Sequence, residues 1–252
     1  MSDIAKLEHE DVQRLDNVLA DTNTPHLTRR SLVARAAAGA AGLGALGALG
    51  PIPSALAAGN SINEIVTDAV TAEALAVTFL TGVIVNAKAL GIPSSLVPVL
   101  KAANAAELDH YKTLGSLGAK PLTKKFWAPD AFFKNSQSVF STIEVAETLF
   151  VNAYLIGITA FARAGKDTLA RYAGEILGTE AEHRALARFA LGKLPNNLGF
   201  ERYDIHTIGG IVAALEKAGI GFGKKGKEPG RFYSFRIPPR SALVHIENNH
   251  PA

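Results

Sequence analysis

The chain has 252 residues, 48% of them hydrophobic and 19% charged, with a net charge of +3, so it can fill one sizeable core and is not a disordered polyelectrolyte. It contains no cysteine, and its single methionine is Met1, which excludes disulfides, thiolate zinc sites, iron-sulfur clusters, a lipoprotein anchor and a haem held by methionine. Any metal must therefore be held by histidine and carboxylate.

Residues 28–33, TRRSLV, precede the small apolar run 34–50 and then PIPSALAAG, with small residues at Ala55 and Ala57. That is the order of a charged region, an apolar region and a cleavage site. Arg29 and Arg30, followed by Leu32 and an Ala/Gly-dominated run, resemble a twin-arginine export signal. Residues 1–57 are thus expected to be a signal peptide read by the twin-arginine translocase, with the mature chain starting near Ala58.

The next stretch opens with Ser61 and Glu64, the spacing of a capping box, and predicts a helix to about residue 90. Its apolar stripe of Val66, Ala69, Val70, Ala76, Val77 and Leu80 carries Glu73 in its midst. After a turn at GIPSS, a second helix is expected over about residues 95–114; its stripe of Leu96, Leu100, Ala103 and Leu114 is interrupted by Glu107 and His110. Residues 115–135 show no helical period and read as a long crossover. A third helix over residues 136–163 aligns Phe140, Ile143, Phe150, Val151 and Tyr154, with Glu144 and Glu147 among them. The fourth, capped by Asp167 and stopped by Gly192 and Pro195, has apolar Ile176, Leu177, Leu186, Phe189 and Leu191 with Glu180 and His183 on the same stripe. The expected fold is all-α: a four-helix bundle of hairpin, crossover and hairpin over residues 58–191, with an irregular basic extension over 192–252.

Counting outward from the turn near residue 92, Glu73 lies about 19 residues before it, while Glu107 and His110 lie about 15 and 18 after; at 1.5 Å per residue they share one level. Around the second turn, Glu147 lies about 18 residues before, and Glu180 and His183 about 15 and 18 after, so the second hairpin repeats the arrangement. An ionised carboxylate on a core stripe is very unfavourable unless a cation or water compensates it.

One glutamate from each of two helices and a Glu-x-x-His from each of the other two resemble the ferritin-like di-iron or di-manganese carboxylate proteins across residues 61–191. The resemblance implies that Glu73 and Glu147 are terminal ligands, that Glu107 and Glu180 bridge two metals, and that His110 and His183 give one imidazole to each. Glu144, in EVAE, resembles the additional carboxylate of rubrerythrin-like members. Two iron or manganese ions, with dioxygen or peroxide as co-substrate, are implied. Iron oxidation, peroxide removal and manganese catalase chemistry all belong to that class, and His and carboxylate do not select the metal. The alternative is a structural or stress protein similar to the desiccation-related proteins, with little or no catalysis. Tyr111 and Tyr154 read as buried tyrosines with satisfied hydroxyls.

The tail carries the basic excess, with nine basic and five acidic residues in 191–252, but lacks any nucleic-acid-binding module, so nucleic acid is not expected as a partner. A short amphipathic helix is predicted over about residues 207–217. Phe222, Phe232, Tyr233 and Phe235 are expected to pack onto the bundle or onto a second copy in a homo-oligomer, and His206, His245 and His250 lack ligand spacing. This extension departs from the ferritin pattern and argues against a ferritin cage.

Overall fold

The computed structural model describes residues 61–247. The expected signal peptide and His250 lie outside the described residues.

Helix α1 spans Ile62–Val85 and starts in the expected capping box: the Glu64 amide donates to Ser61 Oγ (3.2 Å), and the Ser61 amide donates back to the Glu64 carboxylate (3.0 Å). It ends short of residue 90 because Asn86 Nδ2 donates to the Gly82 carbonyl (2.8 Å), closing the last turn before the chain bends. Helix α2, Val97–Ser116, follows a 3-10 turn at Ser94–Leu96 and carries Pro98 in its first turn.

Helix α3, Ser136–Arg163, and helix α4, Asp167–Ala190, form the second hairpin. Asp167 is not the cap that the sequence suggests. Lys166 holds the cap position without a side-chain bond, and Asp167 sits in the first turn, where its charge faces the helix N-terminus. The turn depends on Gly165 at φ +65°, a left-handed conformation that lets the Lys166 amide reach the Phe161 carbonyl (2.8 Å).

Helices α1 and α3 are long and apolar enough to cross a membrane, with mean hydropathies of 1.6 and 1.5. Much of that apolar surface faces other helices. The core falls into two clusters: Val70, Phe150, Tyr154, Ile156 and Ile176 on one side, and Leu80, Leu100, Val139, Phe140, Ile143 and Ala187 on the other. Along α2, α3 and α4 the inward glutamates fall between these clusters, so a polar layer interrupts the core. Leu186 and Phe189, expected on the buried stripe of α4, are exposed.

The crossover and the tail are more ordered than their sequences suggest. Strand β1, Lys125–Pro129, lies in the crossover; strands β2, Gly221–Phe222, and β3, Gly230–Ser234, lie in the tail, and together they make an antiparallel sheet of order β2-β1-β3. Phe126 and Trp127 are buried there, and a Cβ at Gly226 would stand 2.6 Å from Trp127 Cδ1, so only glycine admits the indole. Helix α5, Ile208–Lys217, is capped by Thr207 and buries Ile208, Ile211 and Leu215. The expected tail aromatics turn inward in part: Phe235 meets Tyr111 with ring centroids 4.5 Å apart.

Two buried asparagines fasten the tail to the bundle. Asn104 Nδ2 donates to the Ala242 carbonyl (3.0 Å); Asn152 donates to the Ile205 carbonyl (2.7 Å) and accepts from the amides of Asp204 (3.1 Å) and Ile205 (3.0 Å). Asn152→Ala leaves these backbone groups without partners, and a destabilisation of about 1–3 kcal/mol is expected in denaturant titration. Faster amide exchange should accompany it in residues 204–217, with slow exchange retained in α1–α4.

Candidate metal centre

Six side chains meet at the level where the sequence places them. Glu73 comes from α1, Glu107 and His110 from α2, Glu147 from α3, and Glu180 and His183 from α4. Each Glu-x-x-His pair shares one helix face because three residues bring a side chain almost once round the helix. Glu107 and Glu180 are fully buried, Glu73 nearly so, and Glu147 and His183 are buried; the His110 side chain is 12% exposed.

The cluster resolves into two overlapping groups. Glu73, Glu107, His110 and Glu180 form one, and Glu107, Glu147, Glu180 and His183 form the other; within each, one ligand atom per residue lies within 4.8 Å of the rest. Glu107 and Glu180 belong to both. Each divides its oxygens between the histidines: Glu107 Oε2 lies 3.6 Å from His110 Nδ1 and its Oε1 2.9 Å from His183 Nδ1, while Glu180 Oε1 lies 3.2 Å from His110 and its Oε2 3.2 Å from His183. Glu73 and Glu147 lie to either side, 3.7 Å from His110 and 3.9 Å from His183. Tyr154, on α3, donates its hydroxyl to Glu73 Oε1 and fixes that carboxylate from behind.

These groups are close in charge but poorly paired by hydrogen bonds. His183 Nδ1 carries at most one proton, directed to Glu180 Oε2 at 3.2 Å, so the nearer Glu107 oxygen at 2.9 Å gains charge proximity without a hydrogen bond. Glu73 Oε2, both Glu107 oxygens, Glu147 Oε2, Glu180 Oε1 and His110 Nδ1 are buried without a hydrogen-bond partner among the described residues. So many orphaned acceptors on converging side chains is the arrangement a cation satisfies. The donor set is oxygen and imidazole nitrogen, which suits iron and manganese alike.

Burial, reinforced by the facing Glu107 and Glu180 charges, pushes the Glu73 and Glu147 carboxyls well above the ordinary 4.5. Burial acts the same way on Glu107, but the close imidazoles of His110 and His183 outweigh it and hold that carboxyl below its ordinary value. Burial alone would lower the pKa of both histidines; contact with Glu107 and Glu180 reverses this and raises both well above 6.5. Burial, then the Glu73 charge, raises the Tyr154 phenol.

The structure does not bring Glu144 into either group. One turn from Glu147, it lies where α4 presents Arg188 and the following loop presents Lys193; its carboxylate pairs with Arg188 and with Lys193 Nζ at 2.6 Å. Those two cations outweigh its partial burial and hold its pKa below the ordinary value. A neighbouring carboxylate and the Glu-x-x-Glu spacing suggest a ligand; the basic residues that engage it are distant in sequence and carry no local signal. Arg184, beside His183, is also buried and pairs with Glu201 of the tail at 2.8 Å.

The family model described as ferritin-like domain matches residues 62–193, more than half of the chain. No curated protein and no solved structure matches it.

The two glutamates of EVAE should separate cleanly on substitution. Glu144→Gln loses ion pairs at a half-buried site and should cost about 1 kcal/mol in a denaturant titration, with metal content unchanged. Glu147→Gln should lower metal content measured by elemental analysis while leaving the metal-free melting temperature equal or higher, because a neutral amide is easier to bury than a carboxylate.

Proposed function

The chain belongs to the ferritin-like domain family, and on that premise we propose that it is an exported protein that holds two iron or manganese ions and reacts with dioxygen or peroxide. The observation that carries this reading is the pair Glu107 and Glu180, each offering one oxygen toward each histidine from a fully buried position. One metal would be held by Glu73, His110 and the two shared glutamates, the other by Glu147, His183 and the same two.

When bound, the metal pair supplies redox chemistry that these side chains lack. The chain contributes the rest. The apolar clusters on either side limit water around the carboxylates, and Tyr154 orients Glu73. Export is supported by Arg29, Arg30 and the small-residue site at Ala55 and Ala57. Replacing both arginines with lysine should abolish secretion of a product whose intact mass begins near Ala58; secretion undiminished by the change would reject that route.

One observation favours the second reading, a structural or stress-related protein with little catalysis. With its outer carboxyls and both histidines drawn toward their protonated forms, the cluster can balance charge without metal. The two readings diverge in metal content and in the pH dependence of stability. Groups whose folded pKa is raised stabilise below their unfolded value and lose that contribution as pH rises through the folded one, so metal-free protein should melt progressively lower as pH rises above 4.5, the ordinary value of the two carboxyls, and further above 6.5, that of the two histidines. Glu107, shifted the other way, acts only in acid. Metal displaces those protons. Loading with iron or manganese should give about two ions per chain and flatten the pH dependence, and a hundredfold excess over Kd stabilises by about 2.7 kcal/mol per site. Sub-stoichiometric metal and an unchanged melting curve would favour the structural reading.

A further inference from the structure

The two halves of the cluster differ in what surrounds them. Behind Glu73 and Tyr154 the space is about 30 Å³, room for little more than a water molecule. Beside Glu147 lies a cavity of about 230 Å³ between α1, α3 and α5. Phe79, Phe132, Phe150, Leu215 and Ile220 wall it, and its polar side chains are Ser141, Thr142 and Glu147. Thr142 spends its hydroxyl on its own helix, donating to the Ser138 carbonyl (2.8 Å). A smaller cavity of about 110 Å³ on the α2 and α4 side also reaches Glu147 and His183, edged by the exposed Leu186 and Phe189. Leu80, Ile143 and Glu147 border both spaces.

We propose that the larger cavity is a binding site for an uncharged, largely hydrocarbon molecule, a substituted aromatic ring or a short alkyl chain, seated against the Glu147 half of the cluster. Apart from Glu147 and the two hydroxyls of Ser141 and Thr142, the walls give a hydrated cation nothing in exchange for its water, which favours an apolar occupant over an ion. Its size exceeds the roughly 150 Å³ apolar cavity that already admits benzene. Val145 and Ala218 line it and are themselves exposed, and α5 forms one wall, so the tail builds the site that the four helices alone leave open. Binding follows from the cavity itself; only the placement beside a metal rests on the dinuclear reading.

The test is calorimetric titration of the full mature chain with n-butylbenzene and with naphthalene, in metal-free and metal-loaded forms. Saturable one-to-one binding is expected, weakened at least tenfold by Ala146→Phe, which fills the cavity from α3. Ala218→Phe, at an exposed lining position outside the four helices, should weaken it as well and serves where the first variant fails to fold. In Co²⁺-loaded protein, butylbenzene should shift the visible absorption bands. Absence of saturable binding to a folded wild type, or equal binding to the folded cavity variants, overturns the proposal. Binding that persists in a protein unable to take up Co²⁺ upholds the cavity and rejects the metal reading alone.

Discussion

Four carboxylates and two imidazoles buried at one level of a bundle are the constraint on which the rest of this structure depends. Each ionised group in that layer has lost its hydration, and mutual hydrogen bonds replace only part of it. The layer therefore needs a countercharge, either protons or metal. It also needs a rigid surround, because inward carboxylates that drift apart admit water and lose their geometry. The two apolar clusters supply that rigidity from above and below, with Phe150 and Tyr154 on one side and Leu80 and Ile143 on the other.

The same constraint explains why the neighbouring charges are arranged as they are. A further carboxylate at the layer would add a like charge to an already excessive set. Glu144 is instead drawn off by Arg188 and Lys193, and Arg184 is drawn off by Glu201. The tail that ends the chain thus does more than decorate it. Its loop after α4 provides Lys193 and Glu201, Asn152 and Asn104 tie its backbone down, and α5 covers the face of α1 and α3 beside Glu147. The centre is consequently lopsided, closed by Tyr154 around Glu73 and bordered by apolar space around Glu147.

The family gives the bundle and its matched residues, and it stops at residue 193. Strand β1 lies inside that match, in the crossover, while its partners β2 and β3 and the helix α5 lie beyond it. The wall that α5 gives the space beside Glu147 is therefore built from a segment outside the match.

The sequence by itself determined the four helices, their order and the level of the six inward carboxylate and imidazole side chains. Period 3.6 ties Glu107 to His110 and Glu180 to His183 on one face, and equal distances from two short turns bring the hairpins into register; both are local rules, readable without contacts. Only the tertiary structure decided the partners of Glu144, because Arg188 and Lys193 lie more than forty residues away and compete with the cluster for its charge. The same holds for Leu186 and Phe189, whose helical spacing reads as core until the position of α2 leaves a cleft beside them. Strand β1 carries no local signal because its partners stand about a hundred residues on and β2 is two residues long, too short to show alternation. Local periodicity fixes which face of a helix is inward, and the packing of distant segments fixes what that face meets.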